Sequence, residues 1–166
     1  MSRLTTIELF REDLKFSAGH FTIFSATHRE KLHGHNYGVH VSLTTSIETN
    51  GLRFDYRDYH KKIEKFCRDL NLCFLLPGRS DYLKIEEQGA YYHAHFNGEM
   101  IPFLKSDVVI LPIVNTTVED LSCWFIEQLI ADKAALEKDG IVAITVKLSS
   151  NPGRSGSTSW SKTNER

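Results

Sequence analysis

Cysteine is scarce in this 166-residue sequence, and a long apolar segment is lacking. The three cysteines, Cys67, Cys73 and Cys123, are odd in number and include no Cys-x-x-Cys spacing, so free thiols in a reducing compartment are expected. No apolar run approaches the ~20 residues that a membrane-spanning helix needs, and the N-terminus lacks the apolar segment of a signal peptide. These absences predict a cytoplasmic protein with no membrane partner.

Charge of either sign is not in excess, because 20 basic and 21 acidic residues leave a net charge of −1. No overall field therefore draws the chain to nucleic acid or to an anionic membrane surface. We therefore expect neither nucleic acid nor a membrane as a partner. The hydrophobic fraction of 41% is typical of a globular domain, and the length predicts one such domain.

The order of the predicted elements indicates an α+β domain with helices on one face of an antiparallel sheet. In chain order these elements are strands over 4–24 and 33–47, a helix over roughly 56–70, a helix opened by the capping box Thr116-x-x-Glu119, and a strand over 141–148.

Two further segments lie outside these elements. Residues 78–110 form a long insertion, in which Asn97-Gly98 between two apolar stretches is typical of a hairpin with a type I′ turn. Residues 151–166 are rich in serine and glycine, which predicts a flexible C-terminal tail. We therefore expect a single domain over residues 1–150 that carries the insertion at 78–110.

Three histidines give the strongest functional signal. His20 ends the first predicted strand, and His33 and His35 begin the second. Residues i and i+2 of a strand share a face, so two imidazoles lie side by side and a third can join them from the neighbouring strand. Three neutral imidazoles leave one position of a tetrahedral zinc ion open, as in catalytic sites. The alternative is a surface strand that happens to carry histidines.

Four segments match a known pattern. Phe16-Ser17-Ala18-Gly19-His20 is followed after twelve residues by His33-Gly34-His35-Asn36-Tyr37. Phe54-Asp55-Tyr56 and Asn115-Thr116-Thr117-Val118-Glu119-Asp120-Leu121 open the two predicted helices. Together they resemble the 6-pyruvoyl-tetrahydropterin synthase and 6-carboxytetrahydropterin synthase family.

The resemblance implies a fold and an assembly. The fold is the T-fold, in which a four-stranded antiparallel sheet carries two helices on one face. In this family, the sheets of three subunits join edge to edge into a barrel, and two barrels commonly stack. Joining removes the exposed strand edges of an isolated sheet. A homotrimer or homohexamer is therefore expected.

The resemblance also implies a carbon–oxygen lyase of pterin biosynthesis, in a tetrahydrobiopterin or queuosine pathway. Zinc in this family binds the side-chain hydroxyls of dihydroneopterin triphosphate, from which phosphate is eliminated. The implied zinc ligands are His20, His33 and His35, and Thr116 and Thr117 are expected to contact the heterocycle through hydroxyl or backbone groups.

The sequence departs from the family at the proton-transfer group, which is usually a cysteine before His-Gly-His. Glu30 stands three residues before His33, similar to a subgroup in which glutamate replaces the cysteine and the side chain is cleaved to give 6-hydroxymethyl-dihydropterin. We expect Glu30 to act as a general base if burial raises its pKa toward neutrality. The alternative is a solvated loop charge, and His28 is a second candidate base.

Two more departures concern the proton relay and the recognition of the pterin. The family's Asp-His dyad is replaced within Leu70-Asn71-Leu72, and Ser150 stands where a pterin-anchoring glutamate is expected. The predicted function is therefore a zinc-dependent lyase acting on dihydroneopterin triphosphate or a related pterin. The alternatives are a family member with a non-pterin substrate and a non-catalytic, zinc-stabilised oligomeric binding protein.

Overall fold

The computed structural model describes residues 3–47 and 50–164, and the elements of this part of the chain follow in sequence order. The strands are β1 (Arg3–Leu9), β2 (Lys15–His20), β3 (Ile23–Ser25), β4 (His28–Arg29), β5 (His33–Ile47), β6 (Cys73–Pro77), β7 (Lys84–Gln88), β8 (Tyr91–Phe96), β9 (Glu99–Leu104), β10 (Val108–Leu111), β11 (Ile141–Asn151) and β12 (Arg154–Ser161). The helices are α1 (Arg57–Leu70), α2 (Val118–Ile130) and α3 (Lys133–Lys138). Within the described ranges, no helix has the length and apolar character to cross a membrane.

Seven strands form the main sheet, in the order β10-β6-β2-β5-β11-β12, with β1 also paired to β5. β1 and β2 pair with successive parts of the same edge of β5, so they replace the single strand predicted over 4–24. A turn interrupts that strand, in which the Leu14 N–H donates to the Arg11 carbonyl at 3.0 Å. The antiparallel part of this sheet confirms the predicted α+β architecture; it consists of β1, β2, β5, β11 and β12. β6 and β10 extend the sheet by parallel pairing.

The prediction of a flexible tail from residue 151 onward is wrong over β12, which pairs with β11 from Ala143–Ser161 to Asn151–Arg154. Along β12, Gly156, Thr158 and Trp160 are half-buried and alternate with exposed serines. Small residues on the inner face allow close packing on α2, because a Cβ at Gly156 would lie 3.0 Å from Val118 Cγ2. The serine and glycine content of this segment, which predicted flexibility, instead allows β12 to pack closely on α2.

The core lies between the main sheet and the helices, and the period of two along β5 sets its extent. Alternate β5 residues are buried in this core: Tyr37, Val39, Val41 and Leu43. Since residues i and i+2 share a face, His33 and His35 continue this row beyond the apolar core. The sheet face that packs the core therefore also carries the histidines.

The insertion at 78–110 contains a separate antiparallel sheet, β7-β8-β9. Asn97 and Gly98 join β8 to β9 with φ angles of 47° and 78°, which confirms the predicted type I′ hairpin. A second apolar cluster packs this sheet against the chain segment that follows His20; its buried members are Phe21, Ile23, Leu76, Leu83, Ala94 and Phe96. The insertion therefore abuts the loop beside the histidines.

Candidate metal centre and active site

The register of two strands brings the three histidines together. β2 and β5 pair His20 with His33 and Ala18 with His35. The ring centroids lie 4.5 Å apart for His20 and His33, 5.1 Å for His20 and His35, and 4.9 Å for His33 and His35. One ligand nitrogen from each ring lies within 4.8 Å of the others, so the trio could hold a metal ion.

Backbone carbonyls fix the tautomer of two of these rings. Nδ1 of His20 lies 2.8 Å from the Thr116 carbonyl oxygen, and Nδ1 of His33 lies 2.8 Å from the Lys31 carbonyl oxygen. A carbonyl oxygen only accepts hydrogen bonds, so Nδ1–H donates in both rings and the Nε2 lone pairs remain free. His20 Nε2 is buried without a partner in the described part of the chain. A buried polar atom left in this way costs about 1–3 kcal/mol, which a bound metal ion would recover.

The surroundings of His20 and His35 favour the neutral imidazole, which is the form that binds a metal. Burial, followed by repulsion from His33, lowers the pKa of His20 to about 4. Burial and His33 also lower the pKa of His35, against a hydrogen bond to the Asn151 side chain that raises it. Three imidazoles whose ligand nitrogens lie this close together fit zinc.

Glu30 lies beside the trio. Its Oε2 atom is 3.8 Å from His33 Nε2 and accepts a hydrogen bond of 3.0 Å from the Thr22 N–H. Burial raises the pKa of Glu30, but the hydrogen bonds with Thr22 and the nearby His33 and His20 outweigh it, and the net pKa is below its ordinary value. The expectation that burial raises this pKa toward neutrality is therefore wrong, since a backbone amide stabilises the anion. Glu30 is an ionised carboxylate at neutral pH.

His28, the second candidate base, lies away from the trio. It is exposed on β4, and its ring contacts Phe24 at a centroid distance of 4.9 Å. It does not line the cavity at the histidines, because β4 directs the next residue, Arg29, inward and His28 outward. The structure gives His28 no part in this site.

A cavity of about 170 Å³ opens at the histidines. Its walls combine the trio with polar side chains from four chain segments: Thr22, Glu30, Tyr37, Thr117, Glu119, Ser150 and Arg154. The predicted substrate contacts Thr117 and Ser150 therefore face the same space as the trio. Two of the lining residues, Tyr37 and Arg154, were not among the predicted site residues. Tyr37 could have been predicted, because it follows His35 by two residues on the same face of β5. Arg154 could not, because it lies in the segment that was predicted to be a flexible tail.

Thr116 does not line this cavity and is fully buried. Its hydroxyl donates to the Phe21 carbonyl at 2.9 Å, and its own carbonyl accepts from His20. The cap of α2 is accordingly Thr117, which accepts from the Asp120 N–H at 3.3 Å, so the predicted capping box is displaced by one residue. Thr116 orients a histidine and is not placed to contact a substrate.

The residues at the altered dyad position also lie outside this cavity. Asn71 Oδ1 accepts a hydrogen bond of 2.9 Å from the Ser17 N–H. Leu72 is 82% exposed with a φ of 61°, and its N–H donates to the Ser17 carbonyl at 2.7 Å. Leu72 lines a larger surface depression, of about 750 Å³, which shares His35 and Ser150 with the cavity at the trio. Neither the Asn71 nor the Leu72 side chain can carry a proton.

Comparison with known proteins identifies the family. The model of the family described as 6-pyruvoyl tetrahydropterin synthase matches residues 9–159. A relative from Methanocaldococcus jannaschii, named "Putative 6-carboxy-5,6,7,8-tetrahydropterin synthase", is 30% identical over 122 residues, which cover 72% of this chain and 73% of the relative.

Solved structures extend the likeness over nearly the whole chain. The 6-pyruvoyl tetrahydropterin synthase from Plasmodium vivax is 27% identical, with a TM-score of 0.90 over 96% of this chain and 99% of its own. That from Plasmodium falciparum is 26% identical, with a TM-score of 0.90 over 97% of this chain and 99% of its own. Because these structures cover 96–97% of this chain, the 33 residues of the 78–110 segment cannot all lie outside the match. The likeness therefore extends into the predicted insertion. Two further Plasmodium vivax structures are described as catalytic residue mutants, with a glutamate replaced by cysteine or alanine. The present chain belongs to the 6-pyruvoyl tetrahydropterin synthase family.

Proposed function

We propose that this chain is a zinc-dependent lyase that acts on dihydroneopterin triphosphate or a related pterin, with Glu30 as the general base. The observation that carries this proposal is the position of the Glu30 carboxylate, 3.8 Å from His33 Nε2 at the edge of the histidine trio. The Plasmodium vivax structures support it, because the residue replaced in those catalytic mutants is also a glutamate.

The proposed roles follow from the chemistry of the side chains. His20, His33 and His35 would hold the zinc ion, which supplies Lewis-acid polarisation of a substrate hydroxyl when bound. For phosphate elimination, the ionised Glu30 carboxylate would accept the proton of the carbon next to the phosphate-bearing carbon, and the electron pair of that C–H bond forms a C=C bond as the C–O bond to the phosphate breaks. For side-chain cleavage to 6-hydroxymethyl-dihydropterin, the same carboxylate would accept the proton of a side-chain hydroxyl instead. A C=O bond then forms as the adjacent C–C bond breaks, and the electron pair of that C–C bond passes into the heterocycle. The Thr22 N–H, 3.0 Å from Glu30 Oε2, keeps the carboxylate aimed at the cavity.

Consumption of dihydroneopterin triphosphate by the zinc-loaded protein tests the substrate. Chromatography of the products separates 6-pyruvoyl-tetrahydropterin, 6-carboxytetrahydropterin and 6-hydroxymethyl-dihydropterin, and the last is expected from the subgroup with glutamate in place of cysteine. Wild-type protein with full zinc occupancy that consumes none of this substrate would rule the assignment out.

Substitution of the base tests the mechanism. Glu30→Gln should lower the turnover number by about 10²–10⁴-fold, because general base catalysis is lost, while zinc content stays at the wild-type level. His28→Gln is the matched control, since His28 lies on the same hairpin outside the cavity, and it should keep full turnover. Equal, measurable turnover in wild type and Glu30→Gln would contradict the role of Glu30. Zero turnover in both proteins would favour a non-catalytic binding protein.

A shifted, non-pterin substrate is the second candidate, and Ser150 favours it. A carboxylate at this position would form a charge-assisted pair of hydrogen bonds with an aminopyrimidinone edge, which contributes about 1.5–3 kcal/mol. If the natural ligand is a pterin held in the family's manner, Ser150→Glu should tighten pterin binding measured by calorimetry. Unchanged or weaker pterin binding in Ser150→Glu would favour the shifted substrate.

We further propose a homotrimer or homohexamer in the cytoplasm. The outer strand β12 of the main sheet has one unpaired edge within the described residues, as edge-to-edge joining requires. All three cysteines are free thiols, in keeping with a reducing compartment. Light scattering after size-exclusion chromatography tests the assembly, and a monomer at micromolar concentration would contradict it.

A further inference from the structure

The guanidinium group of Arg29 lies between two aromatic rings from distant parts of the chain. Its Cζ atom is 5.1 Å from the centroid of the Phe21 ring and 5.7 Å from that of the Phe96 ring. Phe21 directly follows the histidine that ends β2, whereas Phe96 ends β8 in the insertion. The Arg29 side chain is 17% exposed, so these cation–π contacts are largely shielded from water.

Polar contacts of Arg29 connect the same two regions. Nη1 donates a hydrogen bond of 2.8 Å to the carbonyl oxygen of Glu30, and Nη2 lies 3.5 Å from Glu99 Oε2. Glu99 and Phe96 form a cross-strand pair on either side of the Asn97-Gly98 turn. The tip of the insertion hairpin therefore contacts Arg29 through a ring and a carboxylate.

The segment that carries Glu30 has little pairing of its own. β3 and β4 form a separate sheet of two strands, three and two residues long, and such short hairpins are marginal in water. Beyond Arg29, the Glu30 N–H donates to the Thr22 carbonyl at 2.8 Å. Lys31 and Leu32, which lead on to His33, are exposed. Contacts from outside therefore supplement this hairpin. The Asn115 side chain accepts from the Ile23 N–H at 3.1 Å and donates to the Ile23 carbonyl at 2.7 Å, and Arg29 provides the outside contact on the strand that leads to Glu30.

We propose that Arg29 is a positioning residue through which the insertion hairpin fixes the Glu30 carboxylate beside the histidine trio, an inference that rests on the proposed function. Phe96 and Glu99 hold the guanidinium, and the guanidinium holds the Glu30 backbone. The insertion then serves catalysis without contacting the substrate. Because Arg29 acts through Glu30, its effect on turnover exists only while the carboxylate is present.

Kinetics of Arg29→Met, Arg29→Lys and Phe96→Leu test this inference. A displacement of about 1 Å in a catalytic group can cost about 100-fold in rate, so Arg29→Met should lower kcat by about 10- to 100-fold with KM and zinc content near wild type. Arg29→Lys, which keeps the charge over the rings, should recover part of this loss. Phe96→Leu should show a smaller loss in kcat.

Lys105→Met is the matched control. Lys105 lies 5.4 Å from the Tyr92 ring centroid and 2.8 Å from Glu87 Oε1, so this variant removes a cation–π contact and an ion pair inside the same insertion. It should keep the wild-type kcat. A loss in Lys105→Met as large as that in Arg29→Met would overturn the proposal, because general weakening of the insertion would then explain both.

A double-mutant cycle separates positioning from a structural role. In a Glu30→Gln background, Arg29→Met should change the residual rate by less than about twofold, since the group it positions is gone. Losses that multiply in full in the double variant would overturn the proposal.

Amide hydrogen exchange provides a readout that requires no turnover. In metal-free and zinc-loaded protein, Arg29→Met and Phe96→Leu should speed exchange of the Glu30 N–H by at least about tenfold, and Lys105→Met should not. Unchanged exchange in both test variants would overturn the proposal even in an active enzyme. If instead the wild type consumes no dihydroneopterin triphosphate while exchange responds as expected, the proposed function fails and the anchoring by Arg29 stands.

Discussion

Nδ1 of His20 and the carbonyl oxygen of Thr116 lie 2.8 Å apart, which links strand β2 to the entrance of helix α2. The Thr116 hydroxyl donates to the Phe21 carbonyl. The side chain and the carbonyl of Thr116 are therefore both hydrogen-bonded to the segment His20–Phe21. Partners that orient a ligating histidine fix its tautomer and raise its affinity for the metal.

Thr116→Val should weaken zinc binding by about tenfold, because the carbonyl that orients His20 loses its anchor. The same variant should lower the free energy of unfolding by about 1–2 kcal/mol, since the buried Phe21 carbonyl loses its hydrogen bond. Competition with a chromogenic chelator measures the first effect, and urea unfolding of chelator-treated protein measures the second.

Thr117→Val is the control for Thr116→Val. It removes the side-chain cap of α2 and should cost about 1 kcal/mol of stability, but the His20 contact remains. Zinc affinity should therefore stay at the wild-type level. An equal loss of zinc affinity in both variants would contradict a specific role for Thr116.

Gly34→Ala should weaken both zinc binding and folding. A Cβ at Gly34 would lie 3.0 Å from the backbone oxygen of Ala18, an atom that cannot rotate away, so β2 and β5 must separate between His33 and His35. We expect about a tenfold loss of zinc affinity and a loss of about 1–3 kcal/mol in unfolding free energy. Gly38→Ala, on the same strand, meets the rotatable Ser149 hydroxyl at 2.9 Å and should keep zinc affinity. Equal zinc affinities in the two variants would contradict this account.

Local patterns were sufficient to predict the parts of the site that depend on strand period. β5 spans His33–Ile47 as predicted, because its alternation of apolar and polar residues is unbroken. The same period placed His33 and His35 on one face, and the Asn97-Gly98 turn fixed the insertion hairpin. Each of these features depends on residues close together in the sequence.

Features that depend on distant contacts were not predictable in this way. The pKa of Glu30 is lowered by an amide from Thr22, which only the β3–β4 pairing brings near. Thr116 does not cap α2 as predicted, because its hydroxyl is hydrogen-bonded to the Phe21 carbonyl instead. No local signal shows that small residues from Gly156 onward pack on α2. Sequence pattern thus predicted the grouping of the three histidines better than their surroundings.

The buried thiol of Cys67 should make the protein less stable at alkaline pH. Burial, with smaller contributions from Asp13 and Glu64, raises the pKa of this thiol to about 12 from its ordinary value of 9.0. Between these values the unfolded chain loses a proton that the folded protein keeps, so the free energy of unfolding falls as pH rises, by at most about 1.4 kcal/mol per pH unit.

Cys67→Ala should flatten this dependence when urea unfolding is compared from pH 8 to 10.5. Cys123→Ala removes an exposed thiol and should retain the wild-type slope. Parallel curves for wild type and Cys67→Ala would show that other groups cause the alkaline loss.

Substitutions on the two faces of β12 test whether the C-terminal segment is an integral strand. A Cβ at Gly156 would lie 3.0 Å from Val118 Cγ2 and 3.3 Å from the Glu119 backbone nitrogen, so Gly156→Val must push β12 away from α2. Overpacking of this kind costs about 1–3 kcal/mol in unfolding free energy. Ser157 is exposed on the opposite face, and Ser157→Val should stay within about 0.5 kcal/mol of wild type. In a flexible tail neither side chain would meet a neighbour, so equal urea midpoints for the two variants and the wild type would contradict the pairing of β12 with β11.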